Sequence, residues 1–253
     1  DGVVSFDARG RFDYLAEGET ATTSFRYEAD AGNGATSSAT VRVTIEGAND
    51  APVARPDAPA AVAADAAQAV LDVLANDDDV DSDDDRATLR IVAAQAASGA
   101  RVDVRGQPGE GIVYHPDGRF VALAAGETAT DVITYTIEDR HGLSAKAEAH
   151  ITIVGRNDAP VAAADHAAGN ADAAVVLAVL ANDHDPDTSD HLHVTAVEGR
   201  PLAAGGVLAL ASGAVVSLAI DGTLTYDPAA GFVGLADGES AADSFRYQIS
   251  DDH

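Results

Sequence analysis

Polar and apolar positions alternate with a period of two over many short stretches of this chain. Successive side chains of a strand point to opposite faces, so this pattern marks half-buried strands. In 132–138, Ile133, Tyr135 and Ile137 share one face. In 145–154, Ala147, Ala149, Ile151 and Ile153 do, opposite Lys146, Glu148, His150 and Thr152. Stretches 24–27 and 39–45 alternate likewise around turn chemistry at 29–34. Shorter apolar runs at 68–74, 87–92, 101–104, 112–114 and 119–123 read as further strands. Seven or eight short strands per unit, with polar turns and no helical period, predict an all-β sandwich. The Ala-rich stretch 60–69 is the one place for a short helix, but it lacks caps and an apolar stripe.

The pattern repeats. Asn49-Asp50-Ala51-Pro52-Val53-Ala54 returns unchanged at 157–162, an offset of 108 residues. At the same offset 10–12 matches 118–120, and Gly18-Glu19-Thr20-Ala21-Thr22 matches 126–130. Val73-Leu74-Ala75-Asn76-Asp77 returns at 179–183, and Gly238-Glu239-Ser240 is a third Gly-Glu turn. Self-similarity at a fixed period is the signature of a tandem array. The expected domains are 1–48, the C-terminal half of a first repeat; 49–156, a complete repeat; and 157–253, a third repeat lacking its last strand. A period of 108 residues suits an immunoglobulin-like β-sandwich of about 100 residues, so the array is expected to be elongated. A half repeat leaves its core face open. The chain has no Met and starts mid-repeat, so it reads as a piece of a longer protein, and the lack of a signal peptide at its start says nothing about export.

Composition narrows the function. A net charge of −27 excludes nucleic acid and anionic membrane surfaces as partners, since both require a basic face. No run of about 20 apolar residues is present to insert into a membrane. The absence of Cys excludes disulfides and Cys-based zinc sites. Of the 42 acidic residues 32 are Asp, the shorter side chain favoured in turns and as an oxygen ligand near the backbone.

The aspartates concentrate in equivalent loops, Asn76 to Asp85 and Asn182 to Asp187. Asp at i, i+2 and i+4 sets several carboxylates on one side of a tight loop, where a divalent cation with six to eight oxygen ligands relieves their repulsion. An isolated loop of this kind is ordinarily a solvated turn; recurrence in register with a linker Asn-Asp favours ion binding. These are not EF-hands, because Ser82 and Thr88, or Thr188 and Val194, stand where the Gly and Glu would be. His191 and His193 share one face of a strand, but a zinc site needs a third or fourth ligand, so a surface strand is the simpler reading. Glycosidase chemistry needs two carboxylates in a cleft that grips sugar; with no Trp and 5% aromatics, the chain is not expected to be an enzyme.

The strings Asn-Asp-Ala-Pro-Val-Ala, Val-Leu-Ala-Asn-Asp-x-Asp and Leu-Ala-x-Gly-Glu-Thr/Ser-Ala resemble the tandem cadherin-like (VCBS) repeats of giant secreted bacterial adhesins. The resemblance covers essentially the whole chain. It implies type I secretion, an extracellular or cell-surface location, a role in adhesion or biofilm formation, and Ca²⁺-stiffened joints between repeats. By analogy with cadherins, Asn49 and Asp50, and Asn157 and Asp158, correspond to the linker ligands. Asp77 with Asp79, and Asp183 with Asp185, correspond to the Asp-x-Asp of the following domain, and Asp139 and Asp251 to the late Asp before a turn. Glu19 and Glu127 correspond to the Glu of the preceding domain, although Ala125 and Gly126 replace the residues cadherins carry before it and the segment also reads as a simple turn. Gly47 and Ala51 reduce the cadherin linker, so a joint could hold fewer ions. The implied partners are calcium, neighbouring repeats, and a host or matrix surface reached through domains outside this chain. Two other functions stand beside the extender: a glycan- or receptor-binding module, and an accessory linker of a secreted hydrolase.

Overall fold

The computed structural model describes residues 3–228 and 231–253; residues 1 and 2 of the first half repeat and 229 and 230 of the third repeat lie outside them. The described secondary structure is strands with one turn of 3-10 helix at Val179–Ala181. No helix among the described residues is long and apolar enough to cross a membrane.

The first half repeat is a hairpin of β1 (Thr20–Asp30) and β2 (Thr36–Glu46), paired antiparallel in unbroken register from Thr20 with Glu46 to Asp30 with Thr36. Its alternating apolar positions, Phe25, Val41, Val43 and Ile45, are only half-buried. The middle repeat holds β3 (Val62–Ala63), β4 (Ala69–Leu71), β5 (Arg90–Ala96), β6 (Arg101–Val104), β7 (Ile112–His115), β8 (Thr128–Glu138) and β9 (Ser144–Val154). They form two sheets, ordered β3-β9-β8-β5 and β4-β7-β6. The predicted inward rows are the buried ones: Ile133, Tyr135 and Ile137 from β8, and Ala149, Ile151 and Ile153 from β9, are each 0% exposed. Leu71, Ile112 and Tyr114 contribute from the other sheet. Burying one such aliphatic or aromatic side chain contributes about 1.5–3 kcal/mol, so the interdigitated rows, rather than the short strand pairings, hold the sandwich.

The third repeat follows the same plan with β10 (Val175–Leu177), β11 (His193–Val197), β12 (Arg200–Pro201), β13 (Val207–Ala209), β14 (Val215–Leu218), β15 (Leu224–Asp227) and β16 (Tyr247–Ser250). Its sheets are β10-β15-β14-β13 and β12-β11-β16. They enclose a core that includes Val194, Val197, Leu208, Val216, Leu218 and Leu224.

Three predicted strands are revised. Residues 119–123 are turn, not strand: Asp117 and Gly118 take positive φ of 49° and 69°, and the Arg119 and Leu123 amides bond back to the Pro116 and Phe120 carbonyls. The run 87–92 becomes strand only from Arg90, because the Thr88 and Leu89 amides donate to the Asp85 carbonyl. The run 68–74 pairs only over Ala69–Leu71, and Val73 and Leu74, both 0% exposed, turn into the core. The Ala-rich stretch 60–69 holds no helix; it contains β3 and a turn.

Contacts divide the chain into two compact units, residues 1–119 with 130–153 and residues 120–129 with 154–253. The division falls inside the middle repeat for a physical reason. The turn that carries Glu127 is hydrogen-bonded to the linker that follows, with Gly155 N donating to Glu127 O at 2.9 Å. A Cβ on Gly155 would stand 2.2 Å from the Ala124 carbonyl oxygen and 2.5 Å from that of Leu123. Only glycine allows this approach.

Candidate metal centre

In the first unit the linker, the acidic loop and the turn after β8 converge. Asn49 donates from Nδ2 to Asp139 Oδ2 at 3.0 Å, and the Asp50 amide donates to Asp81 Oδ2 at 2.8 Å. The Asp81 amide in turn donates to Asp79 Oδ1 at 3.0 Å. Asp139 is fixed by its own turn, its Oδ1 accepting from the amides of His141, Gly142 and Leu143. Asp84 accepts from Thr88 Oγ1 at 2.8 Å, and His141 Nε2 lies 3.1 Å from Asp83 Oδ2. Asp79, Asp81, Asp84 and Asp139 are 8%, 2%, 5% and 1% exposed.

The other oxygens of this cluster have no donor. Asn49 Oδ1, Asp79 Oδ2, Asp81 Oδ1, Asp83 Oδ1 and Asp84 Oδ2 are buried without a hydrogen-bond partner. Buried polar groups are normally satisfied, and an unpaired buried carboxylate is costly. Burial, reinforced by the neighbouring carboxylates, holds the Asp79 and Asp81 carboxyls above the ordinary range. Oxygen-only donors around a hard divalent cation would satisfy all five atoms. Asp83, Asp84 and His141 also present ligand atoms within 4.8 Å of one another. The hydrogen bond to Asp83 raises the His141 imidazole above its usual value.

The preceding half repeat reaches this cluster through one turn. The Ser82 amide donates to the Tyr14 carbonyl at 2.9 Å, and Ser82 Oγ donates to Glu19 Oε2 at 2.6 Å. Glu19 is held in place by the Ala16 amide at 3.2 Å, and a Cβ on Gly47 would stand 2.3 Å from the carbonyl oxygens of both Leu15 and Ala16. Glu19 thus sits against the acidic loop by way of Ser82.

The second unit repeats the arrangement. The Asp158 amide donates to Asp187 Oδ2 at 2.7 Å, the Asp187 amide to Asp185 Oδ1 at 2.9 Å, and Asn157 Nδ2 to Asp251 Oδ2 at 3.3 Å. Asp185 Oδ2 and Asp187 Oδ1 are buried without partners, and Asp185, Asp190 and Asp251 gather within 4.8 Å. The Ala124 amide donates to Glu127 Oε2 at 3.0 Å, and Thr188, the equivalent of Ser82, donates from N and Oγ1 to the Ala122 carbonyl, each at 3.4 Å.

Of the residues expected to ligate, the structure therefore gathers Asn49, Asp79, Asp139, Asp185, Asp251 and Asn157, while Asp50 and Asp158 contribute backbone amides. Glu19 lies one hydroxyl away. Glu127 is bonded to its own turn. Asp77 and Asp183 are placed elsewhere. Asp77 accepts from the Arg55 amide at 2.7 Å and lies 3.3 Å from the Tyr135 hydroxyl, which also lies 2.8 Å from Asp57. Asp183 likewise accepts from the Ala163 amide, with the Tyr247 hydroxyl 3.2 Å away and 2.8 Å from Asp165. Burial raises the Asp57 and Asp77 carboxyls and pushes up the Tyr135 hydroxyl. This clasp ties the linker to β8 and fixes the start of the acidic loop. Asp81, Asp84, Asp187 and Asp190 belong to the clusters and were not singled out from sequence. Their signal was available, because both pairs recur at the offset of 106 that relates the two loops.

The middle and third repeats are thus strand-built units that each carry buried carboxylate oxygens without donors beside an Asn-Asp linker. The chain matches the family described as bacterial cadherin-like domain over residues 49–155 and again over 157–253, and it belongs to that family. Among solved structures it is similar to the extracellular domain of protocadherin GammaB4, at 14% identity and a TM-score of 0.39, over 92% of this chain and 39% of that one. No curated protein matches it.

Proposed function

We propose that this chain is a calcium-stiffened structural extender of a secreted or cell-surface bacterial adhesin of the VCBS type, acting in adhesion or biofilm formation and not as an enzyme. The observation that carries the reading is the set of five buried oxygens without donors at the head of the middle repeat. Asn49, Asp79, Asp81, Asp83 and Asp84 would hold the ion there, and Asp185, Asp187, Asp190 and Asp251 its counterpart. A bound Ca²⁺ supplies charge that offsets the repulsion of the gathered carboxylates. Asp139 and the Asp50 amide tie the linker to the loop, and Ser82 ties the loop to the turn of the preceding repeat. Because elements from both sides of the linker meet at one cluster, neutralising it stiffens the linker. The test is small-angle scattering of the 253-residue chain in calcium and in chelator. A larger maximum dimension and a narrower distance distribution in calcium are expected; identical profiles at millimolar calcium would overturn the reading.

A further inference from the structure

We propose that Tyr135 and Asp57 of the middle repeat, and Tyr247 and Asp165 of the third, are positioning residues that set how tightly the acidic clusters hold their ion without ligating it. This rests on calcium being the ion those clusters hold. The linker and the acidic loop run side by side as a short antiparallel ribbon. In the middle repeat the Asp50 amide donates to Asp81, and Val53 and Asp78 exchange backbone bonds of 2.7 and 3.3 Å. Next to these the Arg55 amide donates to Asp77, and Asn76 Nδ2 donates to the Pro56 carbonyl at 2.9 Å. The sandwich end of the ribbon is anchored. The Tyr135 hydroxyl lies 2.9 Å from the Arg55 carbonyl oxygen, 2.8 Å from Asp57 Oδ2 and 3.3 Å from Asp77 Oδ2. Asp57 also pairs with β9, its amide donating to Glu148 O and its carbonyl accepting from the His150 amide, each at 2.9 Å.

The third repeat builds the same ribbon. Asp158 meets Asp187, Val161 bridges His184, the Ala163 amide donates to Asp183, and Asn182 Nδ2 donates to the Ala164 carbonyl. The Tyr247 hydroxyl lies 2.9 Å from the Ala163 carbonyl oxygen and 2.8 Å from Asp165 Oδ2. The anchor matters because the clusters oppose themselves. Carboxylates gathered at Asp79, Asp81, Asp83 and Asp84 repel one another until an ion arrives. A loop left free to spread has to be reassembled on binding, and that ordering subtracts from affinity. The clasp holds Asp77, two residues before Asp79, in place beforehand. Groups that orient metal ligands from behind change metal affinity by about 10–100-fold when removed.

Calcium calorimetry on the 253-residue chain, with thermal unfolding alongside, tests this. Tyr135→Phe keeps the buried ring and removes only the hydroxyl. It should weaken the site of the middle repeat by about tenfold or more and leave that of the third unchanged, and Tyr247→Phe should do the reverse. Asp57→Asn, which keeps an oxygen for the hydroxyl, should bind as the wild type does, whereas Asp57→Ala should bind more weakly. Ile151→Val, a buried position on β9, separates positioning from stability. It should lower the melting temperature and leave calcium affinity as it was. Unaltered affinity in Tyr135→Phe and Asp57→Ala would overturn the proposal and leave the calcium reading standing. So would an equal loss of affinity in Ile151→Val, which would tie binding to stability alone. No saturable binding by the wild type would overturn the calcium reading itself, and the proposal with it.

Discussion

The acidic loops of the middle and third repeats occupy equivalent places and differ in charge. Residues 76–85 carry seven Asp and residues 182–191 carry four, with His184, Ser189 and His191 in place of Asp78, Asp83 and Asp85. The middle loop leaves the oxygens of Asp79, Asp81, Asp83 and Asp84 buried without donors, the third only those of Asp185 and Asp187. Their contacts with the preceding turn differ in the same sense, at 2.6 and 2.9 Å through Ser82 against 3.4 Å through Thr188. The residues common to both loops are the minimum that shapes the cluster. The additional Asp83 adds a carboxylate to the middle cluster and so raises the negative charge density that a cation would relieve. The middle repeat is therefore expected to bind calcium more tightly than the third.

Several variants break or sharpen this contrast. The largest effect is expected where the two joints are alike. Gly47→Ala and Gly155→Ala each force a Cβ to within 2.3 Å of backbone carbonyl oxygens, and overpacking of this kind costs about 1–3 kcal/mol. Urea unfolding should show both variants destabilised to a similar degree; a neutral result at either would mean that the linker does not need its close approach there. A smaller and unequal effect is expected from Ser82→Ala and Thr188→Val. Removing the Ser82 hydrogen bond to Glu19 should cost about 0.5–1.5 kcal/mol, and removing the longer Thr188 contact less. Equal losses would erase the distinction between the joints.

The smallest effect is in pH, and its sign follows from the raised Asp79 and Asp81 carboxyls. Without calcium the folded state holds protons that the unfolded chain has already released above about pH 3.9. The stability contributed by these groups is thus fully present below that value and is lost as pH rises through their raised folded pKa. In chelator, thermal unfolding should show the wild type losing stability relative to Asp79→Asn plus Asp81→Asn as pH rises from about 4. In calcium the trend should reverse, because the ion binds the ionised carboxylates.

The sandwich was legible because its signal is local. The period-two rows of β8 and β9 name the inward face before any contact is known, and Ile133, Tyr135, Ile137, Ile151 and Ile153 all bury completely. The clusters were less legible because ligand selection depends on which way each aspartate of a run points. Asp77 and Asp79 are equivalent as letters, yet the Asp77 carboxylate is captured by Tyr135 and the Arg55 amide while an Asp79 oxygen stays without a donor. Likewise the short apolar run at 119–123 resembles a strand in composition, but the turn at Asp117 and Gly118 redirects it.

Calcium calorimetry on the wild-type chain beside Asp81→Asn plus Asp84→Asn, and beside Asp187→Asn, tests the two-joint account most directly. The account predicts two classes of site, the tighter removed by the first pair and the weaker by the second variant. Extracellular calcium modules bind at about 10⁻⁴–10⁻³ M, so the titration should extend through that range. Loss of the tighter class in Asp187→Asn, or no binding at several times that concentration, would contradict it.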